Sequence, residues 1–590
     1  MSRQFVWALT IATILGATLR VWDLGRESLW LDELSTALAM SRPTWQAFTN
    51  QLRGDAHPPL FFALQRIFGQ IAGIDEITVR LFPALAGIVC IPLVGLLGRA
   101  FYGIRSGAIA AFLLAVAPFA VEMSREGRSN SLLGMVSLLS LMCFLWWRGT
   151  GISRYLVAYG LTVAIMVWLH IFGTFVVIAQ ALWMLLYLGR SPAGRVQIPR
   201  WIFTLVLGVL SYLPWASITA GRVADFVESP WYSPPPSDVV PWLWSGISGG
   251  ESGPALVLLV GLVLLMARSP IDGRGLSLLA SYFVGMVFLP LAVSYGIGPI
   301  LRDRNVLCLL PILCMVAGAG FARVRPGYVA TLLATTAVLL CLPVTLASQF
   351  GPPHKEQWRE VAAAVEDAFQ PGDIVLCDHP YLWRHYLNSD VEIVVIPNSL
   401  KPDDILDWLR SSRPEVSRVW LLHGHAARPL PMVEAIASGK VILAEADLMG
   451  SRYKLVDLRA FLVPLTAFQV QDIRMVDADG LHFWWNTKAS LVDFHPPRAG
   501  NCKVLLKGYT EDSAGENAKL ALRLMSGGIL LSDAMVSLPD SPQVLEVAEA
   551  RVPSVVQMEI EFTNDMRVIE DGVPVHDRNA HIQWIAVRCE

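Results

Sequence analysis

The sequence predicts a polytopic helical membrane protein whose C-terminal part folds outside the bilayer as two small domains. Three observations carry this expectation. Apolar runs of near-spanning length recur from the N-terminus to about residue 348 and then stop. Of the 590 residues, 54% are hydrophobic and only 16% charged, with mean hydropathy +0.49, whereas soluble chains carry roughly 25% charge. Beyond residue 348 the pattern changes, first to helices alternating with short β-rich runs and then to strands separated by turns.

Hydropathy windows place about eleven spans, centred near residues 13, 88, 113, 139, 162, 179, 210, 260, 286, 313 and 337. The opening stretch, MSRQFVWALTIATILGATLRVW, lacks a small-x-small cleavage site and leads into further spans, so it reads as a retained anchor. With the N-terminus inside, the inner segments hold Arg3; Arg99 and Arg105; Arg148 and Arg154; Arg190, Arg195 and Arg200; Arg268 and Arg274; Arg323 and Arg325. Asp272 is almost the only acid among them, which is the positive-inside pattern. An odd number of spans then sets everything after residue 348 outside the cytoplasm.

The expected domains are therefore a membrane part, 1–348, with a long outward loop at 23–76, then an α/β domain, 349–460, and a β-sandwich, 461–590. In the α/β domain, KEQWREVAAAVEDAF and DDILDWLRSS read as helices, and DIVLC, EIVVI, RVWLLH and KVILAEA as strands of a mostly parallel sheet. In the sandwich, HFWWN, KVLLKGY, LALRLMS, VVQMEIEF and IQWIAV read as strands, with turn signals at Asp479-Gly480 and Asp571-Gly572. Of eight cysteines, Cys377, Cys502 and Cys589 lie outside the membrane; Cys502 and Cys589 share the last domain and are the expected disulfide. No CxxC spacing suggests a zinc or redox site, and a net charge of −3 with no basic patch argues against a nucleic-acid partner.

The residues able to do chemistry cluster on the outward side. In the 23–76 loop stands SLWLDELSTA, with adjacent Asp32 and Glu33. As a helix over 29–40 it would align Leu31, Leu34 and Leu38 on one stripe and Asp32 with Thr36 on another. It would lie in the interface, as would LFFALQRIFGQIAGI, which is too short to span. His57 precedes a Pro-Pro pair, His170 sits where the fifth span turns into the sixth, and Arg20 ends the first. The loop EMSREGRSNS carries Arg128, and RDRNVLCLLP carries Arg302 and Arg304.

Outward arginines run against the positive-inside bias. They either snorkel and pair with nearby acids or bind an anion at membrane depth, where a guanidinium grips phosphate bidentately. An Asp beside such a clamp has the parts for group transfer from a phospho-lipid to an alcohol: the carboxylate accepts the hydroxyl proton and the arginines stabilise the departing phosphate. A dry setting would raise the basicity of Asp32. His57 would orient Asp32 or bond a substrate, or is simply held by the Pro-Pro kink. Asp32, Glu33 and His57 are also donors that a divalent ion accepts, though no spacing here is diagnostic, so metal dependence stays open. Trp22, Trp30 and Trp45 are near enough in sequence to stack on a sugar.

These stretches resemble a known family. The first span ending in Arg20, then LWLDELST and HPPLFFALQRIFG, is similar to the opening of the GT-C membrane glycosyltransferases, in particular bacterial family 39-like members related to the protein O-mannosyltransferases and lipid A aminoarabinose transferases. SREGRSNSLLGM is similar to the family's Glu-Ala-Arg-x-Tyr segment, LHIFGTFVVIAQ to its His-Tyr-Phe segment, and RNVLCLLP to its Arg-Tyr-Leu run. Gly127, Asn130 and Asn305 depart from it, standing where the family often has Ala, Tyr and Tyr. The resemblance implies a GT-C fold and an inverting glycosyltransferase that uses a polyprenyl-phosphate-linked sugar donor. Asp32 would be the base, with Glu33 beside it, and Arg128 and Arg304, with Arg302, would hold the donor phosphate. His57, His170 and Arg20 would contact substrate. The acceptor would be a glycan, lipid or protein on the outer face of a bacterial inner membrane, with the C-terminal domains periplasmic or extracellular. The closing VHDRNAHIQWIAV faintly resembles carbohydrate-associated sandwiches, which would give Trp484, Trp485 or Arg578 a binding role. The rival readings are a transporter or flippase of lipid-linked sugars and a membrane-anchored sugar-binding protein. Nearly charge-free central spans speak against the first, and the outward acids and arginines are left unexplained by the second.

Overall fold

The computed structural model describes residues 2–55, 57–228, 235, 237–248, 250, 252–267, 273–377, 379–395, 400–401, 404–424, 436–437, 440–449, 451–463, 469–470, 476–477, 480–483, 488–494, 500–511, 517–526, 529–552, 556–563, 567–570, 573–577 and 579–589. The chain divides into two compact units, Met1–His354 and Lys355–Glu590.

The first unit is helical and spans the membrane several times. Among the described residues six helices are long and apolar enough to cross a bilayer: Arg3–Val21, Glu76–Tyr102, Asn130–Thr150, Gly275–Gly296, Asp303–Ala322 and Gly327–Phe350. Three bent pairs raise the number to nine: Ile104–Val116 with Pro118–Ser124, Pro192–Leu210 with Leu213–Glu228, and Val239–Ser248 with Ser252–Leu265. The eleven expected centres all fall inside these helices or the 17-residue Ser153–Leu169 and Gly173–Gly189, which stand at the short end of spanning length.

Local chemistry sets many of the boundaries. Ser2 accepts from the Phe5 N–H and Asp75 from the Thr78 N–H, capping the helices that follow. Gly103, at φ +97°, ends one helix and begins the next. Pro118 breaks its helix pair by 60°, as expected of a residue with no N–H to donate. Glu76–Tyr102 and Ile104–Val116 touch backbone to backbone, since a Cβ on Gly107 would lie 2.3 Å from the Gly95 carbonyl oxygen. Within the helical bundle Gln180 donates to the Ser137 carbonyl (2.8 Å) and to the Tyr282 hydroxyl (2.9 Å), and accepts from Ser140 (2.7 Å). This buried polar knot satisfies groups that lipid could not.

The segment before residue 76 forms three helices, Leu31–Ser41, Trp45–Leu52 and Leu60–Ala72. None is long enough to span. Leu60–Ala72 buries Phe61, Phe62, Gln65 and Arg66 and leaves Ile67 and Ile71 exposed, the two-faced character of a helix in the membrane interface.

The second unit contains three principal sheets. The first has the order Ile374–Cys377, Arg418–His423, Ser451–Asp457, Val441–Leu448, flanked by helices Trp358–Ala368 and Ile405–Ser412. Only the first two strands pair in parallel, joined by a parallel bridge between Val375 and Ile393; the rest is antiparallel. The sheet is thus less parallel than its sequence pattern suggests, because Val441–Leu448 and Ser451–Asp457 are joined too tightly for a crossover. Among its described residues EIVVI contributes that bridge. Two antiparallel sheets follow, with the paths Gln543–Val552, Gly500–Glu511, Asn579–Cys589, Gly480–Phe483, Val476–Asp477 and Ile529–Ser537, Lys519–Ser526, Val556–Phe562, Lys488–Phe494, Gln469–Val470. Their inner faces share one apolar core that includes Leu506, Leu522, Ile560 and Ile585. Cys502 and Cys589 stand opposite each other in register and are joined by a disulfide. Trp484, Trp485 and Arg578 lie outside the described residues, as do the turn residues Asp479 and Asp571-Gly572.

Candidate active site

The acidic pair sits at the start of the Leu31–Ser41 helix, and its two members do different things. The Glu33 carboxylate is completely buried and accepts from Arg80 Nε (2.8 Å) and Nη2 (2.6 Å), and from the backbone N–H of Gly127 (2.8 Å). Arg80 also donates to the carbonyls of Leu24, Glu27 and Ser28, so one guanidinium gathers the loop around itself. Thr36, one turn on, donates to the Gly127 carbonyl at 3.1 Å. These bonds fix the helix and turn Asp32 the other way.

Asp32 keeps about a quarter of its side chain exposed and pairs through Oδ2 with Arg304 Nη1 at 2.9 Å. Arg128 Nη1 donates to the Asp32 backbone carbonyl at 3.2 Å. Each guanidinium is braced by a ring, Arg304 over Trp30 and Arg128 over Phe62. Burial alone would push the Asp32 carboxyl up, but Arg128 and Arg304 outweigh it and hold its pKa below the ordinary value. The expectation that a dry setting raises the basicity of Asp32 is therefore corrected: two close cations override desolvation.

His57 follows an Asx turn in which its N–H donates to Asp55 Oδ1 at 2.8 Å. Its ring lies 4.6 Å from that of His170. Burial and the neighbouring Arg128 depress His57 to about 3, against a smaller upward pull from Asp32, so it is neutral at any working pH. His170 Nδ1 accepts from the Phe172 N–H at 3.0 Å, which leaves the proton of a neutral ring on Nε2.

His57, Arg128, His170, Arg302 and Arg304 line one cavity of about 170 Å³. Asp32 joins it through its ion pair with Arg304. The opposite wall is apolar, with Phe172, Phe175, Phe226, Val227, Val293 and Ile297. A cationic end and a greasy wall in one chamber suit an amphiphile with an anionic head. Six of the eight residues singled out in the sequence are brought together in this way. Glu33 and Arg20 are not. Arg20 is buried between helices, donating to Ser124 Oγ and to the carbonyls of Gly16, Leu114 and Ala115. Of the tryptophans, Trp30 backs Arg304, whereas Trp45 stacks under Arg66. Among the described residues no three His, Cys, Asp or Glu side chains come together as metal ligands, and the Glu33 carboxylate is already held by Arg80 and Gly127.

One charged lining residue was not singled out in the sequence. Arg222, on Leu213–Glu228, reaches the cavity because that helix bends 61° from the one before it. In the orientation expected from the sequence it is an outward arginine like the others, and the same charge criterion selects it.

Comparison with known proteins agrees with this architecture. Residues 56–217 match the family model of dolichyl-phosphate-mannose-protein mannosyltransferases. A putative mannosyltransferase, YycA of Bacillus subtilis, is 28% identical over 155 residues, which is 24% of this chain and 22% of that protein. The match thus spans about a fifth of the curated relative's length. The crystal structure of ArnT from Cupriavidus metallidurans in the apo state superposes with TM-score 0.52 at 14% identity, covering 76% of this chain and 97% of that one. The same enzyme bound to undecaprenyl phosphate gives TM-score 0.50, with equal identity and coverage.

Proposed function

We propose that this multi-pass membrane protein, which has the ArnT-like GT-C fold and matches the mannosyltransferase family model over residues 56–217, moves a sugar from a polyprenyl-phosphate donor to an acceptor hydroxyl on the outer face of a bacterial inner membrane. The observation that carries this is the Asp32–Arg304 pair, with Arg128 on the Asp32 carbonyl, at the cationic end of a half-apolar cavity.

In this reading Arg128 and Arg304 take the donor phosphate, the polyprenyl chain runs along the apolar wall, and Asp32 is the base. The acceptor oxygen attacks the anomeric carbon from the face opposite the phosphate. Its proton passes to Asp32, the bond from carbon to phosphate oxygen breaks, and the electron pair leaves with the polyprenyl phosphate, inverting the centre. The phosphate would draw Arg304 away from Asp32 and neutralise part of the charge that suppresses its basicity, so the base gains strength when the donor arrives. Neutral His57 and His170 can each bond sugar hydroxyls without competing for the phosphate. Glu33 supports Asp32 through Arg80 and does not itself meet the reactants. With the N-terminus cytoplasmic, the second unit is extracytoplasmic, and we divide it near residue 460 into an α/β part and a sandwich.

The test is a lipid analysis of a deletion strain rescued with wild type or Asp32→Asn. One polyprenyl-phosphate sugar should accumulate in the deletion, clear with wild type and persist with a stably expressed Asp32→Asn. If the variant clears it as well as wild type, the base is misassigned and transport of the lipid becomes the better reading.

A further inference from the structure

His57 owes its place in the cavity to the main chain that carries it. Among the described residues its Nδ1 is buried and meets no hydrogen-bond partner, so that nitrogen does not pin the ring. The ring is placed instead by its backbone and by packing against His170 at 4.6 Å. Helix Trp45–Leu52 ends at Arg53, and a tight turn follows. In it the Gly54 N–H donates to the Gln51 carbonyl (2.9 Å) and the Asp55 N–H to the Leu52 carbonyl (3.1 Å). The Asx turn at Asp55 then leads into His57, and Pro58 and Pro59 stiffen the chain behind it.

Arg222 ties this turn to another wall of the cavity. Its Nε donates to the Arg53 carbonyl at 2.8 Å, across 169 residues of sequence. Its Nη1 pairs with Asp225 Oδ2 at 3.0 Å, three residues along the same helix. Asp225 is 64% exposed, so water screens that pair, and its part is to aim the guanidinium at the turn. The same helix contributes Val223, Phe226 and Val227 to the lining of the cavity that His57 shares. The apolar wall and the histidine turn are thus joined by a bond from a guanidinium to a carbonyl.

We propose that Arg222 is a positioning residue for the transfer. Its grip on the Arg53 carbonyl sets the spacing between the apolar wall and the His57 ring, and so where the donor sugar stands relative to Asp32. This rests on the reading above in which His57 bonds a sugar hydroxyl. Arg222 acts through His57 and needs no contact with the reactants.

Two measurements on the purified full-length protein in detergent test this. Hydrogen exchange reads the clasp without turnover. The amides of Gly54, Asp55 and His57 should exchange roughly three- to tenfold faster in Arg222→Leu than in wild type, and less so in Arg222→Lys, which keeps a donor. Transfer is read by adding each protein to detergent-opened membranes of the deletion strain, which hold donor and acceptor, and timing the loss of the accumulated polyprenyl-phosphate sugar. Arg222→Leu should slow that loss by a similar factor, and Arg222→Lys by less. Binding of undecaprenyl phosphate, followed by native mass spectrometry, should stay unchanged, because that probe has no sugar to place. In a His57→Ala background Arg222→Leu should cost nothing further. The proposal is overturned if exchange at the turn is unchanged, or if the His57 and Arg222 losses multiply. It is also overturned if undecaprenyl phosphate binding falls along with transfer, which would make Arg222 a phosphate ligand. Faster exchange throughout the first unit with a lower melting temperature overturns it too, since Arg222 is then only a structural tie. A wild type that binds no undecaprenyl phosphate or clears no lipid refutes the donor reading, and the positioning role with it, while exchange at the turn still reports whether the clasp exists.

Discussion

Replacing Glu33 by Gln exchanges one oxygen for an amino group in a fully buried side chain, and nothing at that spot can absorb the change. The carboxylate accepts from Arg80 Nε at 2.8 Å, Arg80 Nη2 at 2.6 Å, the Gly127 N–H at 2.8 Å and the Trp30 N–H at 3.4 Å. Whichever way the amide turns, its NH₂ faces donors on both sides. Arg80, 3% exposed, is then left without its counter-charge. Breaking a buried pair by removing one partner costs about 3–5 kcal/mol. The three carbonyls that Arg80 keeps soften the loss, so about 3 kcal/mol is expected, a factor of ~150 in the folding equilibrium. The assay is thermal or denaturant unfolding of the purified protein in detergent, run on Glu33→Gln, Arg80→Met and the double variant. Each single change should be costly, and the double should cost clearly less than their sum, since the second change removes the charge that the first strands. A Glu33→Gln protein that unfolds with wild type, or a strictly additive cycle, would refute the anchoring role.

Four further outcomes are expected. Asp32→Asn should unfold like wild type yet lose about 10²–10⁴-fold in transfer rate, measured with a donor lipid in detergent. Because the Asp32 pKa is held below the ordinary carboxylate value, the acid limb of kcat/KM should fall below that value too, with Asp32 ionised and able to act at every pH above it. Arg304→Gln removes one of the two lowering charges and should move that limb to higher pH in the same titration, though at a reduced rate. Gln180→Leu strands Ser137, Ser140 and Tyr282 in the bundle and should cost about 0.6–2 kcal/mol in detergent unfolding, with little change in donor binding.

Much of this architecture was legible because a bilayer constrains sequence so tightly: near-spanning apolar runs and arginines sorted by side are hard to produce otherwise. Asp32, Arg128 and Arg304 stood out as charges on the side expected to face outward, and the fold brings them together across 272 residues of separation between Asp32 and Arg304. What stayed hidden was partnership. Nothing in the string DEL tells which acid is buried; that depends on Arg80, 47 residues away on another helix. Arg20 reads like a phosphate ligand until its guanidinium is found filled by carbonyls of its own helix and a neighbouring one. Arg222 needs the 61° bend to reach the cavity, and a bend of that size is set by packing on both sides of the break. The sheet order of the second unit is a question of which strands meet, and alternation alone leaves it open.

Gly127 has a local reason to be glycine. A methyl group there would sit 2.3 Å from Val79 Cγ1 and 3.4 Å from Glu33 Cγ, while the Gly127 N–H serves the Glu33 carboxylate. The small residue at 127 and the branched one at 79 are two halves of one fit. Descendants of this chain should therefore drift at the two positions together: an alanine at 127 needs room that the Val79 side chain now fills.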